Sequence, residues 1–193
     1  MAKVHLLAMS GSARRESFNR RVLAVMVRGA EAEGATVTLV EPNEFTLPLY
    51  DADLEAAEGL PEAAARLQRM FAEHHGLLLA SPEYNGFFTP LVKNTFDWVS
   101  RPLADGSRKP GTVHMRGKPA GVAGASTGAM AAIQSLQFTR LYLSRLGFLV
   151  VPEQAGVPHA AGAFDENGRI TDDRINAAVE GVGAAVARLA AKL

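Results

Sequence analysis

Apolar runs and helical periods alternate along the chain, the pattern of an α/β protein built on a parallel sheet. Five short apolar runs read as buried strands: Val4 to Met9, Thr36 to Val40, Gly76 to Ala80, Ala120 to Ala125 and Phe148 to Val151. Between the first two, Phe18, Val22, Val25, Met26, Gly29 and Ala30 repeat at helical spacing, and Gly34 is the stop. Pro61 to His74 predicts a second helix, and Thr89 with Pro90 predicts an N-cap followed by proline at the first helical position. Leu136 to Leu146 fits a further helix. At the C-terminus Ile175, Val179, Val182, Val186, Leu189 and Leu193 mark one stripe, capped at Thr171 or Asp172. Arg101 to Arg116, rich in Pro, Gly and charge, reads as a mobile surface loop.

The 193 residues fit a single domain, 1–193, long enough to cover both faces of a sheet, with no repeat and no linker. Acidic and basic residues balance at 20 each, so no net field attracts nucleic acid or an anionic membrane. Cysteine is absent, which excludes a thiolate nucleophile, a disulfide framework and cysteine-ligated clusters, so redox chemistry requires a bound cofactor. None of the five histidines forms an H-x-x-x-H pair, and no metal site is expected. The opening residues lack a signal-peptide pattern and no segment has the length of a membrane span, so a cytoplasmic location is expected.

Two segments carry chemistry. In the loop after the first strand, Gly11 permits a tight turn, Ser12 and Ser17 offer hydroxyls, and Arg14 offers a charged fork. The free N–H groups of the helix starting near Phe18 point into that loop, which has the composition of a phosphate cradle. It lacks the second glycine of a dinucleotide fingerprint and the Gly-Lys-Ser/Thr of a P-loop. That Ser12, Ser17 and Asn19 simply cap a helix stays open on these residues alone. After the third strand, the turn Pro82-Glu83-Tyr84-Asn85-Gly86 offers exposed backbone, a ring and an amide to a flat heterocycle.

These segments resemble the NADPH-dependent FMN reductase family, which includes bacterial quinone, azo-dye and chromate reductases. The family's G-S-x-R-x-x-S-x-N loop is matched at Gly11, Ser12, Arg14, Ser17 and Asn19; its S-P-E-Y-N-G, L-x-K-N and D-W are matched from Ser81 through Leu91, Lys93, Asn94, Asp97 and Trp98. The resemblance implies a flavodoxin-like fold, a five-stranded parallel sheet in the order 2-1-3-4-5 with helices on both faces. FMN would then lie at the carboxyl ends of the strands, where both loops meet. By resemblance, Ser12, Arg14, Ser17 and Asn19 hold its phosphate with Phe18 as a further cofactor contact, the backbone of Pro82 to Gly86 lies along the ring with Asn85 at its edge, and Glu83 and Tyr84 touch it. Lys93, Asn94, Phe96, Asp97 and Trp98 are expected to be structural.

A third loop, Gly124-Ala125-Ser126-Thr127-Gly128, follows the fourth strand. It matches the G-x-S-x-G elbow of α/β-hydrolases, with Glu153 and His159 as would-be partners. Those two are only six positions apart and the PEYNG segment would stand unexplained, so Ser126, Thr127 and Gly128 are read as closing over the flavin. The resemblance implies an NAD(P)H oxidoreductase with FMN as cofactor and NADPH or NADH as donor. Its acceptor would be a small molecule such as a quinone, free flavin, azo compound or chromate, with no catalytic side chain because the cofactor carries the chemistry. A flavodoxin-type electron carrier is the alternative. Arg101 is the candidate for the 2′-phosphate of NADPH, the basic loop after it is expected near the site, and a homodimer or homotetramer is expected on family grounds.

Overall fold

A computed structural model of the protein describes residues 3–193. Strand β1 (His5–Ser10) leads to α1 (Phe18–Ala32), β2 (Thr36–Val40), α2 (Ala52–Glu58), α3 (Glu62–Glu73) and β3 (Gly76–Ala80). Then come α4 (Pro90–Val99), β4 (Pro119–Ala125), α5 (Ile133–Arg145), β5 (Leu149–Val157) and α6 (Asp173–Ala190). The sheet has five parallel strands in the order β2-β1-β3-β4-β5, the flavodoxin-like order that the resemblance implies.

Strand side chains alternate between faces. Leu6, Ala8, Leu78 and Ala80 pack under α1 and α6, whereas Leu7, Met9, Leu77 and Leu79 pack under α3, α4 and α5. Both faces are covered, which is why these strands appear in the sequence as unbroken apolar runs. Each fully buried leucine stabilises the fold by about 1.5–3 kcal/mol.

On the first face, α1 and α6 touch backbone to backbone. A Cβ on Gly183 would lie 1.8 Å from the Met26 carbonyl oxygen, and one on Gly29 would lie 2.0 Å from that of Glu180. The helix starts follow the sequence. Thr89 Oγ1 accepts from Val92 N–H with Pro90 at the first helical position, and Asp172, not Thr171, caps α6.

Three differences from the sequence reading have physical causes. Strand β5 runs on from Leu149 to Val157 past Pro152, because the β4–β5 register shifts between Ala120 and Val122 and the bulge accommodates the proline. Helix α2 has no apolar stripe to announce it and is instead started by Asp51, whose carboxylate accepts from Asp53 and Leu54 N–H. Leu193 lies beyond α6 and is exposed, so the C-terminal stripe ends earlier than expected.

Arg101, just past α4, donates from Nε to Glu55 Oε1 at 2.8 Å and lies over the Tyr50 ring, tying α2 to α4. The guanidinium holds the Glu55 carboxyl below its usual range, against a smaller opposing effect of burial.

Gly183→Ala is expected to destabilise the protein by about 3 kcal/mol in urea unfolding, whereas Gly181→Ala, with open space around its Cβ, should stabilise by about 0.5–1 kcal/mol. Equal effects would show that the crossing of α1 and α6 is not close. Glu55 is depressed in the folded state, so its contribution is present above the unfolded carboxyl value of about 4.3 and is lost as pH falls through the lower folded value. Arg101→Ala should therefore lower the melting temperature slightly near neutral pH and leave it unchanged at strongly acid pH; a pH-independent deficit would assign the loss to packing.

Candidate functional site

The loops after β1, β3 and β4 meet at the carboxyl edge of the sheet. They enclose an open cleft of about 340 Å³ lined by Ser12, Arg14, Ser17, Phe18, Asn19, Pro82, Glu83, Tyr84, Ala125, Ser126 and Thr127. Two segments about 70 residues apart in sequence thus come together by topology, as parallel strands require.

The first loop is shaped by its own hydroxyls. Ser10 Oγ accepts from Ser12 N–H and donates to Ser12 O, both at 3.2 Å, and Ser12 Oγ accepts from Arg14 N–H. Ser17 caps α1, its Oγ accepting from Asn19 N–H at 3.2 Å, worth about 1 kcal/mol. Among the described residues each of these last two hydroxyls acts only as an acceptor, which leaves its proton to donate. The first turn of α1 carries no acidic residue and its positive end faces the cleft, where the carboxylate in the lining, Glu83, is engaged with Ser135 N–H. Arg14 stands at the rim, its guanidinium 5.2 Å from the Phe18 ring centre. Such an arrangement of donors suits an anion. Gly11 has a role other than the expected turn: a Cβ there would lie 2.4 Å from Ser81 Oγ, so glycine lets β1 and β3 end side by side.

The second loop is a tight hairpin. Tyr84 and Phe87 exchange N–H···O bonds of 2.9 and 3.1 Å, and the two residues between them, Asn85 and Gly86, both have positive φ, 53° and 79°. Asn-Gly is the pair that a type I′ turn demands. The turn presents the Tyr84 ring to solvent and leaves Asn85 and Gly86 at the edge of the cleft, outside its lining. Glu83 reaches from this turn to α5, whose first residues follow two left-handed alanines, Ala131 and Ala132, and which lacks a side-chain cap of its own. The Glu83 carboxylate supplies the cap, accepting Ser135 N–H at 3.0 Å.

In the third loop Ser126 donates from Oγ to Gly128 O at 3.1 Å, within its own loop. Glu153 lies in a different groove, against Arg188 of α6 and Lys192 just beyond that helix. His159 does border the Ser126 loop, its N–H donating to Gly128 O at 3.2 Å, but Glu153 is not brought to either, so the three residues of the hydrolase reading do not assemble. Gly128 has no neighbour within 4 Å of a Cβ position and leaves the loop open above the cleft.

Arg101 is not brought to the cleft. It lies eleven residues beyond Pro90, roughly 16 Å down α4 at 1.5 Å per residue, and is paired with Glu55. The basic loop that follows does not border the cleft either, because it joins the end of α4 to the start of β4 and so runs along the opposite, amino edge of the sheet. There it is anchored, with Leu103 N–H on Lys109 O and Gly111 N–H on Ser100 O and Arg101 O.

The remaining motif residues hold the scaffold. Asn94 donates to Pro48 O and accepts from Tyr50 N–H, both at 2.8 Å, and Trp98 Nε1 donates to the same Pro48 O. Thr89, legible only as a cap, also donates to Gly11 O at 2.7 Å and joins the first two loops. Ser10 carried no signal in the sequence beyond lying next to a motif, and Thr89 none beyond its cap.

A family model of NADPH-dependent FMN reductases matches residues 4–162. The chain is 33% identical over 173 residues to an NAD(P)H-dependent FMN reductase of Pseudomonas aeruginosa, covering 89% of this chain and 86% of the relative. It is 28% identical to a 2-hydroxy-1,4-benzoquinone reductase of a Burkholderia species, over 84% of this chain and 83% of that one. Among solved structures, the flavoenzyme FerB, an NAD(P)H:(acceptor) oxidoreductase of Paracoccus denitrificans, superposes with a TM-score of 0.77 at 27% identity, covering 98% of each chain. With its strand order, its three converging loops and a family match from the first strand to the segment beyond the last, the chain belongs to the NADPH-dependent FMN reductase family.

Proposed function

We propose that the protein oxidises NADPH or NADH on FMN held in the cleft and passes the electrons to a small acceptor, a quinone foremost. The observation that carries the reading is the amino end of α1, free of acidic residues in its first turn and framed by the Ser12 and Ser17 hydroxyls and Arg14, opening into the same cleft as the Pro82–Tyr84 turn. That donor set suits a phosphate dianion. The exposed backbone of the two other loops suits the edge of a flat ring.

When bound, FMN supplies the redox chemistry, accepting hydride from the nicotinamide and returning electrons to the acceptor. The chain's own work is binding and orientation. Ser12, Ser17, Arg14 and the α1 amino end hold the phosphate, Phe18 supports Arg14, and Pro82 to Gly86 with Ser126 to Gly128 border the ring. No side chain is assigned a proton transfer. Nothing lies within 4 Å of a Cβ position on Gly128, so this loop does not close the cleft.

Self-association into a homodimer or homotetramer fits the apolar side chains beside the cleft. Phe87 and Phe138 pack with ring centres 4.6 Å apart while each stays nearly half exposed, and Leu141 is 69% exposed. Such a patch is covered by another protein surface. A cytoplasmic location agrees with dependence on NAD(P)H.

The test is to load the protein with FMN, exclude oxygen and follow the flavin absorbance after adding NADPH or NADH. Rapid bleaching reversed by a quinone is expected; bound flavin that stays oxidised would indicate an electron carrier served by another enzyme. Ser17→Asp keeps a good helix cap but sets a carboxylate against the phosphate, and should purify without FMN; a yellow variant would move the phosphate elsewhere. Arg101→Ala should leave the ratio of KM values for NADPH and NADH unchanged, and a rise for NADPH alone would return Arg101 to nucleotide recognition.

A further inference from the structure

Strand β4 outlasts its neighbour. β3 pairs with it as far as Ala80 opposite Ala123, and Ser81 N–H still reaches Ala123 O at 3.1 Å before Pro82 turns the chain away. In a strand the N–H and C=O of one residue point to the same side, and residues two apart share that side. Ala125 therefore faces the gap that β3 has left, while Ser126 faces the other way and donates to Val157 O. A buried backbone pair without partners would be costly.

Asn19 fills the gap. Its Nδ2 donates to Ala125 O at 3.1 Å and its Oδ1 accepts Ala125 N–H at 2.8 Å, from a side chain only 3% exposed. A carboxamide carries the same donor–acceptor pair as a peptide unit, so here it replaces the missing strand residue. Aspartate lacks the donor, and serine offers one atom where two are needed. With both ends of its amide engaged, Asn19 is held away from the role of phosphate ligand even though it lines the same cleft.

We infer that Asn19 is a positioning residue, an artificial strand that fixes Ala125, and through it the Ser126–Gly128 loop, against the amino end of α1. It sets the spacing between the phosphate end and the ring end of the cleft. The inference rests on the flavin-binding reading above, and its test separates the two.

Wild type, Asn19→Ala and Ser17→Ala are titrated with FMN and with riboflavin, which has the ring but no phosphate, and the quenching of flavin fluorescence is followed. Asn19→Ala should weaken both flavins by the same factor, about tenfold for the lost pair of hydrogen bonds, with the FMN-to-riboflavin ratio at its wild-type value. Ser17→Ala should weaken FMN alone. A loss confined to FMN in Asn19→Ala would make Asn19 a phosphate ligand and overturn the inference with the flavin reading intact. A wild type that takes up neither flavin overturns both. Hydrogen exchange on the flavin-free wild type is independent of how the variants fold: the Ala125 amide should be protected like that of Ala123, and exchange at the rate of the open Thr127 would overturn the latch.

Discussion

A strand buried on both faces still has to satisfy its backbone where it stops, and in this protein that requirement builds the site. At the carboxyl edge of the sheet the end of β1 is closed by Thr89 and by its own Ser10, and the end of β4 by a side chain borrowed from α1. Thr89 takes the carbonyl of Gly11, Ser10 turns back on Ser12, and Asn19 pairs with Ala125. What these residues leave unused, chiefly the first turn of α1 and the hydroxyl protons of Ser12 and Ser17, is what a ligand meets. The cleft is the remainder after the fold has met its own hydrogen-bonding needs.

The same economy of contacts links the turn at Pro82–Phe87 to α5. Glu83 caps that helix, Phe87 packs on Phe138, and Phe88 stacks on Tyr142 with ring centres 4.8 Å apart. Burial pushes the Tyr142 phenol well above its usual value, so it stays neutral in this aromatic stack. The segment assigned to the flavin ring is thus seated on the helix that carries the exposed apolar patch. A surface covering that patch would bear directly on the turn.

Much of this was legible in the sequence because apolar runs and loop motifs report local requirements. The strand order followed from five buried runs and the family resemblance, and the phosphate loop followed from small polar residues between a strand and a helix. What escaped were long-range pairings. Nothing near Asn19 in sequence says that it answers Ala125, and nothing near Arg101 says that Glu55 claims it. Strand β5 was cut short because Pro152 and Glu153 break the apolar pattern where a bulge lets the strand continue. Helix α2 was invisible because its stability comes from a cap and two tethers, not from an apolar face.

The Asn19–Ala125 pair spans 106 positions of sequence, and this has a consequence for the order in which the protein comes into being. During synthesis the phosphate loop leaves the ribosome early, with α1 able to form behind it. Its counterpart is not yet made. Until β4 has been added beside β3, the loop has no fixed opposite wall, so on the binding mode proposed above a nascent chain would present the phosphate end of the cleft without the ring end. Binding of the complete cofactor is therefore a late event that rewards only the finished sheet, and by mass action it stabilises that state over every earlier intermediate.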